Sequence, residues 1–183
     1  MERGWGSSPP GFKRRGTRSP ATARGLLALT RLRPPVDVQA IIGLAGIPVV
    51  ERALAEDVRG TIGDVAGRRT IILNRRWKFS SEGERRWVLA EELGHVLLEH
   101  HLTDSTAPGK PRIGLLEPRR GLYEREARAF AAELLMPFGE VRRRWFGLSP
   151  NGITVEKMVR RLAGEFGVTA AAMRVRLRQM RLV

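Results

Sequence analysis

The chain has 183 residues, enough for one domain with a continuous core. It is 42% hydrophobic and 28% charged, a globular composition, yet 33 Lys and Arg stand against 19 Asp and Glu, a net charge of +14. With no cysteine, disulfides and thiolate metal sites are excluded and any metal must be held by nitrogen and oxygen; no apolar run approaches the roughly 20 residues that cross a bilayer, so no membrane partner and a cytoplasmic location are expected.

Residues 1–24, MERGWGSSPPGFKRRGTRSPATAR, are Gly, Ser, Pro and Arg without a periodic apolar face and are predicted to be a disordered basic tail. With the overall charge, this tail raises contact with nucleic acid as a functional reading. Solvated charge, or an Arg-rich composition that reflects a GC-rich genome or a hot habitat, is the plainer account of the same residues.

A core is expected over residues 25–139. Val36, Val38, Ile41, Ile42 and Leu44 suit a short helix, which Gly46 and Pro48 end. Residues 47–51, 58–62 and 70–73 are short and β-branched, with turn residues at Asp64–Arg68, which predicts a small antiparallel sheet of about three strands. Ser80 or Ser81 is the candidate N-cap of a helix running through Leu97, with Glu82 and Glu84 in its first turn. Residues 103–121 are rich in Pro and Gly and read as a loop, followed by a second long helix from Leu122 to Met136 that Pro137 ends.

Residues 140–183 form a C-terminal helical segment, with helices over 153–166 and 169–180 divided by Gly167. Leu162–Leu177 has the look of a helix-turn-helix, in which Arg174, Arg176, Arg178 and Arg181 would make a basic recognition helix for nucleic acid. The alternative is that these helices complete the core. The fold class is therefore α+β: a small sheet packed with an active-site helix, a second ligand-bearing helix and C-terminal helices.

Chemistry concentrates in RRWVLAEELGHVLLEHH. Glu91 and His95 stand at i and i+4, one helical turn apart on one stripe, a spacing at which two side chains grip one ion. The arrangement is that of H-E-x-x-H, in which two histidines bind zinc and the inner glutamate deprotonates a water, with Glu91 in place of the first histidine. A carboxylate can replace imidazole as a zinc ligand, but it weakens the Lewis acid and favours an oxygen-preferring ion such as manganese as the alternative. A third ligand must come from another element, and Glu124, Glu126 and Glu133 of the second helix are available. His100 and His101 lie five and six residues beyond His95, off its stripe, and read as surface or helix-end residues. Glu99 reads as solvated, and Tyr123 as a packing residue at the helix start, with oxyanion stabilisation as its functional alternative.

Two further stretches carry a resemblance. EAxxFAAELLMP, from Glu126 to Pro137, and the closing LAGEFGVTAAAMRVRLRQMRLV resemble the ImmA/IrrE family of metallo-endopeptidases. The family pattern is an HExxH helix followed by E-A-n-x-F-A-a-x-L-L-M-P and an ending LA-x-x-F-x-V-S-x-x-A-x-x-x-R-L. The likeness covers roughly Val36–Val183, and FAAELLMP is its most specific part. It implies that Glu91, His95 and Glu126 bind zinc and that Glu92 is the general base. It also implies a protein substrate, a helix-turn-helix repressor whose cleavage relieves transcription of stress-response or mobile-element genes. The runner-up is a catalytically decayed relative that acts as a DNA-associated regulator or protein-interaction module. Arginine salt bridges at the metal's place would mark that case.

Overall fold

The computed structural model describes residues 19–100, 117–148 and 152–183, and in it three strands form one sheet. They are β1 (Val49–Arg52), β2 (Gly60–Val65) and β3 (Arg68–Asn74), in the order β1-β3-β2. β2 and β3 make an antiparallel hairpin. Its turn is Ala66–Gly67, both with positive φ (52° and 74°), the geometry that two-residue hairpins favour because it matches strand twist. Asp64 Oδ1 closes this turn by accepting from the Gly67 amide at 2.9 Å.

β1 pairs with β3 in parallel, so the sheet is mixed rather than antiparallel as expected. The reason lies in β3 and its last residue. Thr70–Asn74 are all buried, the continuous run that suits a strand covered on both faces and places β3 in the centre. Arg52 and Gly60 flank the connection between β1 and β2 and pair with Asn74 and Leu73, so residues 53–59 pass across the C-terminal end of β3. The buried Asn74 side chain holds that crossing: its amide donates to Ala55 O (2.9 Å) and Val58 O (2.7 Å), and its oxygen accepts from the Leu54 (3.1 Å) and Arg76 (3.0 Å) amides.

Seven helices surround the sheet among the described residues: α1 (Ser19–Thr30), α2 (Val38–Leu44), α3 (Glu82–Leu97), α4 (Glu117–Leu135), α5 (Phe138–Leu148), α6 (Val155–Phe166) and α7 (Ala170–Gln179). α1 begins inside the segment expected to be disordered. Residues 19–24 are helical, and Ser19, Thr22 and Ala23 are buried on a helix that packs against α4; residues 1–18 lie outside the described residues. α2 is capped by Asp37 and α3 by Ser81, as their side chains accept from the amides of Ala40 and Glu84.

α4 starts at Glu117 rather than Leu122, with Pro118 in the first turn, where a missing N–H costs nothing. α5 follows directly: the Pro137 carbonyl that ends α4 accepts from the Val141 amide at 3.0 Å. Thr154 and Thr169 cap α6 and α7, and Gly167, at φ 61°, ends α6 in the left-handed region that favours glycine.

Val141, Trp145, Val159, Leu162, Phe166, Met173 and Leu177 belong to the same buried cluster as Leu89, Phe130 and Leu134. Residues 140–183 thus help to build the core. Two arginines of the expected recognition helix are engaged inside the molecule, Arg174 with Glu156 and Arg176 with Glu133. Among the described residues no helix is long and apolar enough to cross a membrane.

Candidate metal centre

α3 and α4 approach closely because Gly94 has no side chain. A Cβ there would stand 2.9 Å from Phe130 Cδ1 and 3.3 Å from Ala127 Cα. Through that contact the α3 stripe carrying Glu91 and His95 faces α4, while Glu92 turns to the sheet. Gly60 of β2 makes room for Glu92, whose Oε1 would be 3.3 Å from a Cβ at that position.

His95 is 8% exposed, and its two ring nitrogens look in different directions. Nε2 faces Glu124 Oε1 at 3.7 Å, and Nδ1 is 3.0 Å from Nδ1 of His100. His100 Nε2 in turn is 2.8 Å from Glu126 Oε2. The carboxylate accepts, so Nε2 of His100 carries a proton. Burial pushes the His100 imidazole below its usual range, against the opposing pull of Glu126, and thus favours the neutral ring. Its Nδ1 then accepts from the Nδ1–H of His95, which turns the Nε2 lone pair of His95 toward Glu124. Tyr123 stacks on the outer face of His100, with ring centroids 4.4 Å apart and planes 19° from parallel.

His100 was expected off the His95 stripe, and on a continuing helix it would be. α3 instead ends at Leu97 with Leu98 as its C-cap, and Glu99 at φ 60° turns the chain back so that His100 is buried under the helix end. His101 lies outside the described residues.

Glu91 is also 8% exposed, and guanidinium groups meet both of its oxygens. Arg128 Nε donates to Oε1 at 3.2 Å, and Arg59 Nη2 is 3.6 Å from Oε2. Arg128 reaches further, to Glu124 Oε2 at 3.7 Å from its Nη2. Burial raises the Glu91 carboxyl above its usual range, while Trp87, Arg59 and Arg128 pull it down. Glu92 keeps a partial opening to solvent but lies deep among protein atoms. Burial first, then the charges of Glu91 and Glu124, push its carboxyl up to about 8, with Arg59 opposing.

Of the residues singled out from the sequence, Glu91, Glu92 and His95 lie together on α3. Glu126 bonds to His100, and Glu124 is the α4 carboxylate that faces His95. As the side chains are arranged, no three His, Asp or Glu residues form an ion-holding group among the described residues, and Arg128 bridges Glu91 and Glu124. The donor set is nevertheless suited to a divalent cation. Two carboxylates and an imidazole are what zinc accepts, and Arg128 is a positive charge already balancing both acids from a side chain that is 58% exposed.

None of the curated proteins matches this chain. The sequence model described as the IrrE N-terminal-like domain, a peptidase family, matches residues 44–178. That span takes in α3 with EELGH, α4 with FAAELLMP and most of the C-terminal helices, and the chain belongs to this family, which supports a metallopeptidase-type function.

Proposed function

We propose that this chain is a metal-dependent endopeptidase of the ImmA/IrrE type that acts on a protein. The observation that carries the reading is the meeting of α3 and α4 at His95 and Glu124, one turn from Glu91 and beside Glu92. Zinc, or manganese as the ion with the stronger preference for oxygen, would be held by Glu91, His95 and Glu124 and would supply a Lewis acid for the scissile carbonyl. Glu92 takes the proton of the attacking water and returns it to the leaving amine, a task for a carboxyl whose proton exchanges near neutral pH. His100 and Glu126 fix the ring of His95 so that Nε2 faces the site, and the stacked Tyr123 restrains His100. By resemblance, the substrate is a helix-turn-helix repressor of a stress or mobile-element response. Basic residues that remain exposed, such as Arg178 and Arg181, are the proposed contacts for nucleic acid.

Elemental analysis of protein purified without added metal, alongside cleavage assays of the parent and the Glu92→Gln and Glu91→Ala variants, tests this reading. Loss of the general base should slow cleavage by about 10²-fold or more. Cleavage by Glu92→Gln at the parental rate refutes the mechanism. A second reading is favoured by the two guanidinium groups on Glu91: a relative whose site has lost its ion and serves as a DNA-associated regulator or protein-interaction module. It predicts no bound metal, no cleavage by the parent, and DNA binding that weakens steeply with salt.

A further inference from the structure

Two charged residues of the site, Glu91 on α3 and Arg128 on α4, stand together across the helix contact. These two residues are partners, with Arg128 Nε 3.2 Å from Glu91 Oε1. An acid buried at position 91 without a counter-charge would be destabilising, and the arginine one helix away supplies that charge. Arg128 also lies 3.7 Å from Glu124 Oε2, while the other oxygen of Glu124 faces His95 Nε2 at the same distance. One guanidinium therefore stands among the side chains that would share an ion.

We propose that Arg128 is a built-in counter-cation that closes the site in the metal-free protein, and that a divalent cation binds only as Arg128 swings away. The inference rests on the metal-site reading above. Two features make the arm displaceable. Arg128 is 58% exposed, and a partly solvated ion pair contributes little. It also lines a cavity of about 680 Å³ that it shares with Arg59, Trp87, Arg125, Met136 and Val175, which gives the guanidinium room to move without leaving protein contact. A dication that neutralises both carboxylates at once competes with an arginine that holds each at 3.2 to 3.7 Å. The effect is an ion affinity lowered by the arginine, and acids that keep a counter-charge when no ion is bound.

The test is zinc titration by calorimetry, with thermal unfolding in chelator and in excess zinc, on the full chain and its Arg128→Gln variant. Arg128→Gln should bind zinc about two- to fivefold more tightly than the parent, the size of effect expected for removing one competing partly exposed pair. Its melting temperature should fall in chelator and recover with zinc, whereas that of the parent should change less. Equal zinc affinity in parent and variant, abolished in both by His95→Ala, would overturn the role of Arg128 and leave the metal site standing. No zinc binding by either protein would overturn both. Should Arg128→Gln fail to fold, Arg128→Lys gives a second reading: it keeps the positive charge but loses the guanidinium fork that reaches Glu91 and Glu124 together, so it should bind zinc more tightly than the parent. Binding no tighter than the parent would count against the proposal.

Discussion

Arg176→Ala should destabilise the fold far more than its place on an expected DNA-recognition helix suggests. Glu133 is 3% exposed and holds three donors: Arg176, Arg24 Nη1 at 3.3 Å and the Phe138 amide at 3.5 Å. Arg176 also donates from Nε to Met136 O at 3.0 Å, so it ties α7 to the end of α4. The side chain of Arg176 is 11% exposed and that of Arg24 59%, so Arg176 is the partner that shares the dry environment of Glu133. Breaking a buried pair by removing one member costs about 3–5 kcal/mol, because the other charge stays buried. Arg24 remains as partial compensation, which lowers the expectation to about 3 kcal/mol, or about 6–12 °C in melting temperature for a chain of this size. Arg24→Ala, by contrast, should cost under about 1 kcal/mol. Thermal and urea unfolding of both variants, with Arg176→Met/Glu133→Leu as a rescue that removes both charges, checks the argument. If Arg176→Ala costs no more than Arg24→Ala, the pair does not hold the helices together and the reasoning fails.

Other substitutions probe separate parts of the structure. Asn74→Ala removes four hydrogen bonds from the crossing between β1 and β2 and should cost about 2–4 kcal/mol in urea unfolding, with Asn74→Asp no better because it loses both donors. Gly94→Ala places a methyl group 3.3 Å from the Ala127 backbone, which cannot yield without parting α3 from α4, and should cost about 1–3 kcal/mol in thermal unfolding. Glu84 is held below the usual carboxylate range, first by the Ser80 backbone amide, then by its hydroxyl, with help from Trp77. Because the folded value is lowered, its contribution is complete above the unfolded pKa and is lost as pH falls through the folded one. Melting curves of the parent and Glu84→Gln should therefore differ at neutral pH and converge in acid. Parallel curves across that range would contradict it.

The helices were legible where periodicity was strong and ends were marked. Ser81 and Thr169 before amphipathic runs, and Pro137 after one, give the start of α3, the start of α7 and the end of α4. α1 escaped because it packs through Ser19, Thr22 and Ala23, small residues whose burial depends on a close neighbour rather than on hydrophobicity. The parallel pairing of β1 escaped because it depends on where residues 53–59 cross, a matter decided by the Asn74 side chain. At the site, EELGH fixed which α3 residues cluster, since helical spacing alone brings them together. His100 was hidden by the single left-handed residue Glu99, and the closeness of Glu124 to His95 by the rotation of α4, which Gly94 and Ala127 determine. The pairing of Arg128 with Glu91 joins residues on two helices and has no signature in local spacing.

The 2.8 Å bond between His100 and Glu126 has an evolutionary consequence. It joins a residue just beyond the α3 cap to one midway along α4, so the aim of His95 is tied to the second helix by a direct bond. Doubling the length of a connection between helices costs only about 0.6 kcal/mol in closure entropy. A change in length between the two helices is therefore cheap in entropy, and the bond from His100 to Glu126 is what would hold the imidazole in place through it.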